Sequence, residues 1–432
     1  MNKIREILSV ACFATCAINA PLMAQSSWDG GVGNYATGGN WTPSGVPSSA
    51  TEILIESGTA IFTGTDTFFE RAASSTIDGG TLEINNARFV NARGGPATFN
   101  LVDGGLTQNN STYFIVGQNN FGTFNQSGGL ADITVGRGFF VTDGAGLGGA
   151  YNLTGGTLDL KMNQFGADSL TNGLFNAWVG RGGNNDSMLV DGGTFNLAVT
   201  GPVGADRNFL VARNATFQVD SGSVEMVGLR SFVVGMGRVA NTSSNMIING
   251  GNTSIEASSG FYVGAGVSGT LEMTAGNLSL TGAAGLRMGD QAASTSISTD
   301  ATSALTTSAV TLSGGVMDVE GDIILAINSF NTSEFSMSGG SLFANDIFVG
   351  SGSATFNFFG GQIQLAGDRT DILTETWFVG AAGTSATYDS TGDRTVIAIP
   401  EPNAALLGLV GALLLATKRS RRISPSKVGA GS

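Results

Sequence analysis

Histidine is absent from all 432 residues, and cysteine occurs only twice, at Cys12 and Cys16. The first absence removes Ser-His-Asp triads, histidine-based zinc sites and most general acid–base schemes. Both cysteines fall within residues 1–24, which read as a removable leader, so no thiol, disulfide or cysteine metal site is expected in the rest. Charge is also scarce, at 12% of residues. Setting aside Lys3, Arg5 and Glu6 at one end, and Glu401, Lys418, Arg419, Arg421, Arg422 and Lys427 at the other, the 33 acidic and 20 basic residues fall to 31 and 13. The body then carries about −18, with Lys161 its one lysine. Such a surface repels phosphate backbones, so nucleic acid is not an expected partner.

The leader has Lys3 and Arg5, an apolar run from Ile7 to Ile18 broken only by Ser9 and Thr15, and Ala20-Pro21-Leu22-Met23-Ala24 before a polar stretch. That order is a secretory signal peptide over 1–24, cut after Ala24. The far end has three parts: Pro400-Glu401-Pro402, an apolar stretch from Ala404 to Thr417, and the basic stop Lys418, Arg419, Arg421, Arg422. As a helix the fourteen apolar residues rise about 21 Å, short of a hydrocarbon core of roughly 30 Å. The stretch has no polar face, and the basic residues can snorkel and hold the end in the cytoplasm, so a short transmembrane helix is expected. The two prolines keep the junction before it extended.

This tail resembles the C-terminal sorting region of the PEP-CTERM family of bacterial exported proteins. The resemblance covers residues 399–422 and implies an exosortase-type membrane enzyme that recognises Pro400, Glu401 and Pro402 and processes the chain near them. It also implies association with extracellular polysaccharide.

Glycine is plentiful, 66 residues, and Phe (26) far exceeds Trp (4), which fits an all-β chain with glycine turns. One phrase recurs from Ile77: alternating apolar residues, a polar residue, Gly-Gly or a near variant, then alternating apolar residues. IDGGTLEI, YNLTGGTLDL and FNFFGGQIQL are examples. The glycine marker falls at 80, 105, 129, 156, 193, 222, 251, 276, 315, 340 and 361. A step near 25, with longer ones of 37 and 39, reads as one solenoid coil per phrase with insertions as loops. A second phrase ends in Val-Gly, at Gly117, Gly180, Gly235, Gly264, Gly350 and Gly380. Each coil therefore has at least three short strands: one before Gly-Gly, one after it and one ending at Val-Gly.

Alternation sets the inward pairs as Leu82 and Ile84, Leu158 and Leu160, Phe195 and Leu197, Val224 and Met226, Leu278 and Leu280, Ile363 and Leu365. Glu83, Asp159, Asn196, Ser279 and Gln364 then face out. The expected fold is a right-handed parallel β-helix of about a dozen rungs, roughly 55 to 60 Å long. Its divisions are 1–24 signal peptide, 25–75 N-terminal cap, 76–395 repeats, 396–423 sorting tail and 424–432 basic polar terminus. WDGGVGNYATGGNW, from Trp28 to Trp41, resembles the entry segment of exported solenoids with autotransporter-associated strand repeats; Trp28 and Trp41 read as cap core. A classical autotransporter is not expected, since the residues after the repeats leave no room for a C-terminal membrane barrel.

No catalytic residue, metal site or cofactor is expected. Many acids, such as Asp78, Asp103 and Asp191, sit in turns before glycine and serve the backbone. The calcium nonapeptide of toxin repeats is missing, which leaves calcium only scattered acids. The carboxylates least easily dismissed are Asp368, Asp371 and Glu375 beside Arg369, read as a solvated turn. The expected role is an exported structural or adhesive protein of the cell surface or matrix, anchored in the membrane as a precursor. The alternative is a β-helix polysaccharide lyase or hydrolase.

Overall fold

A computed structural model describes residues 25–399, apart from 145–146, 164–173, 183–184, 201–205, 237–241, 283 and 291–305. The described chain is all-β and winds into a solenoid of about 12 turns. Three ladders of parallel strands run its length. The first, before Gly-Gly, stacks Phe99 on Phe124, Tyr151, Met188, Phe217, Met246, Leu271, Val310, Phe335 and Phe356 in turn. The second, after Gly-Gly, stacks Leu82 on Leu106, Ala131, Leu158, Phe195 and Val224. The third, ending at Val-Gly, stacks Phe89 on Phe114 and Phe139, and Phe209 on Phe232 and Phe261.

Period-2 alternation is why the ladders hold register. Leu82, Leu158, Phe195 and Ile363 are fully buried, while Glu83, Asp159, Asn196, Ser279 and Gln364 are half-exposed on the outer side. Slipping one rung by a residue would turn a carboxylate into this core. The two longest steps do not disturb the stacking, since Tyr151 pairs with Met188 and Leu271 with Val310 across them. At the corner, Gly104 has φ +83°, and a Cβ there would lie 2.0 Å from the Gly80 carbonyl oxygen one coil away. Only glycine fits both the left-handed conformation and so close a backbone approach. The neighbouring Asp103 accepts from the Gly104 N–H at 2.7 Å, the backbone role expected of such acids.

Ring stacking reinforces the third ladder: Phe89 and Phe114 lie 4.4 Å apart, Phe232 and Phe261 4.7 Å. Outside the first ladder, Asn100, Asn125 and Asn152 link their side-chain amides at 3.0 and 2.9 Å. One polar residue that enters the core is held by hydrogen bonds. Gln126 sits in an apolar column and accepts from the Tyr151 hydroxyl at 2.7 Å, while its Nε2 donates to the Thr157 carbonyl at 2.8 Å.

Both ends are covered. At the start, Trp41 and Trp28 are buried in an edge contact of 5.1 Å, and Trp41 Nε1 donates to the Tyr35 carbonyl at 2.8 Å. Arg71, buried beneath, donates to Ser75 Oγ at 2.8 Å, to the Ser48 carbonyl at 3.1 Å and to the Thr51 carbonyl, tying the entry segment to the first coil. At the other end, Ser385–Asp389 and Arg394–Ala398 form an antiparallel hairpin. Ile397 pairs antiparallel with Ile363 and closes the second ladder. The phrase ending at Gly380 matches the Val-Gly strands in sequence, yet Phe378 pairs with Phe356 on the first ladder. A 3-10 turn, Thr370–Thr374, intervenes after the last coil, and the strand that follows closes a different face.

The third ladder is buried on its outer side as well. Val90, Ile115, Phe140, Leu210, Val233 and Tyr262 alternate with the inward phenylalanines, yet each is buried. Runs such as FVVG and FFV are apolar on both faces, as in strands covered on both sides. Arginines cover part of this stripe: Arg93 lies 4.3 Å from the Phe68 ring centroid, Arg181 4.9 Å from Phe140 and Arg287 5.8 Å from Tyr262.

Asp186, at the start of a first-ladder strand, supplies a pH-dependent term. It is 2% exposed; its Oδ1 accepts from Thr142 Oγ1 at 2.5 Å and from the Gly149 N–H at 2.7 Å, while Oδ2 has no partner. Burial raises its pKa, and the two hydrogen bonds only partly oppose this. A carboxyl that binds its proton more tightly in the folded chain contributes stability at low pH, lost as pH rises through the folded value. Asp186→Asn keeps the acceptor oxygen and removes the buried charge. In melts across the pH range, its stability relative to wild type should rise between about pH 4 and pH 7. A variant that loses ground over that interval would show that the carboxylate is the better-compensated form.

Candidate functional site

The sequence 367–377 leaves the last coil and returns beside the third ladder. Asp368 Oδ1 accepts from Thr370 Oγ1 at 2.8 Å and from its N–H at 3.2 Å. These bonds start the 3-10 turn, and Ile372 anchors it in the core. Asp368 is thus a turn residue, as read from the sequence. Arg369 instead reaches one coil back and forms an ion pair with Asp346. Asp371, Glu375 and Trp377 border a cleft of about 400 Å³, walled also by Asp346, Phe348 and Arg369.

Of the four residues singled out from the sequence, Asp371, Glu375 and Arg369 line this cleft and Asp368 does not. Asp346, Phe348 and Trp377 were missed. Their signal was the coil step itself, since Asp346 precedes Arg369 by 23 residues, close to one rung. Phe348 is 39% exposed and Trp377 half-buried, so the cleft has two aromatic walls; Asp371 and Glu375 are exposed acceptors. Burial raises the pKa of Asp346, against the Ile347 N–H bond and the Arg369 charge, while Asp322 adds to the rise. Both of its oxygens are committed, Oδ1 to the Ile347 N–H at 2.8 Å and Oδ2 to Arg369.

Chemically, the cleft offers apolar platforms and hydrogen-bond acceptors, and its one guanidinium is already paired. These are elements that a ligand-binding surface can use. Lys161 lies far from it in the chain and forms an ion pair with Asp132 at 2.7 Å. Among the described residues no three acids gather as a cation-holding group. No helix among them is long and apolar enough to cross a membrane. Ala24, Pro400, Glu401, Pro402, Lys418, Arg419, Arg421 and Arg422 lie outside the described residues. No protein-family model, curated protein or solved structure matches this chain.

Proposed function

We propose that this protein is an exported structural or adhesive element of the cell surface or extracellular matrix, associated with polysaccharide and without enzymatic turnover. The observation that carries the reading is the order of the tail, Pro400-Glu401-Pro402, apolar 404–417, then Lys418 to Arg422, joined to a solenoid of about 12 turns. On this reading the signal peptide 1–24 is cut after Ala24, and the apolar tail is a transient transmembrane helix. An exosortase-type enzyme cuts near Pro-Glu-Pro and delivers the body to the surface. Right-handed winding belongs to the same proposal, being the hand that crossovers between parallel strands overwhelmingly take.

Mass spectrometry of the native exported protein tests the sorting step. Its C-terminal peptide should end near Pro400, and Glu401→Ala should leave insertion intact while blocking processing. A mature peptide still containing Leu406 to Arg422 would make the anchor permanent and end this reading.

The second reading, a carbohydrate-active β-helix enzyme, is favoured by the aromatic and carboxylate walls of the cleft at Trp377. A glycan-binding and glycan-cleavage screen separates the two. Binding without cleavage is expected; cleavage abolished by Asp371→Asn or Glu375→Gln would establish the enzyme.

A further inference from the structure

The charges of the solenoid are sorted by face, and the sorting follows the rungs. Counting coils by their second-ladder strands, Glu83 lies on the second coil, Asp132 on the fourth, Asp159 on the fifth and Glu225 on the seventh. All four stand on the outer side of that ladder at half-exposed or exposed positions, where the base Lys161 is ion-paired with Asp132. Glu256, Asp318 and Glu320 continue the row on the eighth and tenth coils. The third ladder has the opposite character. Arg88 and Arg93 belong to the second coil, Arg137 to the fourth, Arg181 to the fifth, Arg207 and Arg213 to the sixth, Arg230 to the seventh and Arg287 to the ninth, each half-exposed. The acids on this ladder and its flanks over the same stretch are Glu70, Asp143, Asp206 and Asp290, of which Glu70, Asp143 and Asp290 pair with Arg93, Arg181 and Arg287. These eight arginines are most of the 13 basic residues of the body, so a chain carrying about −18 concentrates its positive charge on one face.

We propose that this arginine face docks on the acidic second-ladder face of another copy of the same chain, with the two solenoid axes parallel and the rungs level. Charge complementarity selects the partner, and the repeat supplies the register. Both rows are generated by one winding, so their spacing matches in every copy. Level rungs put Arg88 opposite Glu83, Arg137 opposite Asp132, Arg181 opposite Asp159 and Arg230 opposite Glu225. An arginine that already has a partner in its own chain, as Arg88 stacks on Phe68 and Tyr113, still brings a full charge and five N–H donors that can serve more than one acceptor. The net negative charge opposes association only over a screening length of about 8 Å, so facing rows outweigh distant like charges at physiological salt. Because two different faces meet, the contact is heterologous and propagates from copy to copy as a ring or an open array.

Sedimentation velocity of the full chain in mild non-ionic detergent tests this. The expected result is concentration-dependent association at about 50 mM salt that weakens about tenfold or more at about 500 mM. One variant reverses the basic face (Arg88→Glu, Arg137→Glu, Arg181→Glu, Arg230→Glu). A second reverses the acidic row (Glu83→Arg, Asp132→Arg, Asp159→Arg, Glu225→Arg). Each alone should sediment as a monomer with a wild-type circular dichroism spectrum, and an equimolar mixture should reassemble, since each variant then offers the other both complementary faces. Association through the tail alone would persist in both variants and overturn the proposal. So would a wild-type chain that stays monomeric at low salt, or a mixture of folded variants that fails to reassemble. If a reversed variant loses its spectrum, the same swap restricted to Arg230→Glu and Glu225→Arg separates these outcomes by the same mixing.

Discussion

Leu158→Asp is expected to unfold the middle of the solenoid or lower its stability by about 4 kcal/mol or more. Leu158 is fully buried, stacked between Ala131 on one coil and Phe195 on the next. A carboxylate at that position has apolar side chains above and below it and an alternation that keeps it from turning outward without dragging Leu160 out as well. Because each coil rests only on its neighbours, the loss falls on two interfaces at once. The introduced carboxyl would have a folded pKa above its unfolded one, so the defect should be smaller near pH 4 than at pH 7. Urea unfolding followed by circular dichroism at the two pH values checks both statements. A variant that unfolds at the wild-type midpoint would mean that this position is not in the core.

Phe232→Ala should cost about 3 to 5 kcal/mol, with Phe232→Leu recovering most of it. Its ring lies 5.0 Å from Phe209 and 4.7 Å from Phe261, both within 8° of parallel. Truncation leaves a void between two rings that the rung spacing prevents from closing, so their dispersion contacts are lost outright. The control is Phe359→Ala, since Phe359 is 55% exposed and should change stability little. If the two alanine variants unfold together, the ring column is not what holds the third ladder. Hydrogen exchange should place the Phe232 defect in the coils around residues 206–263 before it reaches the ends.

The cleft near Trp377 shows how far the sequence carries. Asp371, Glu375 and Arg369 were legible as a group because they are close in the chain. Asp346 was not, because its partnership with Arg369 exists only once the chain has gone round a coil and brought a residue 23 positions earlier alongside. The same limit explains the strand at Phe378. Its local pattern is that of a Val-Gly strand, but its ladder is set by the 3-10 turn at Thr370–Thr374.

What the sequence by itself determined is the repeat, the inward residues of each rung and the glycine corners. These follow from period-2 alternation and steric limits that act within a few residues. It also determined the chemistry withheld, since a chain without histidine and with one lysine in its body has few acid–base schemes open to it. Only the tertiary structure decided which side chains meet across coils: the buried outer stripe from Val90 to Tyr262, the anchoring of the entry segment by Arg71, and the hairpin that seals the second ladder. Those contacts join residues that the alternation treats as independent. They depend on the register of whole coils, a property of the stacked solenoid and of no single phrase within it.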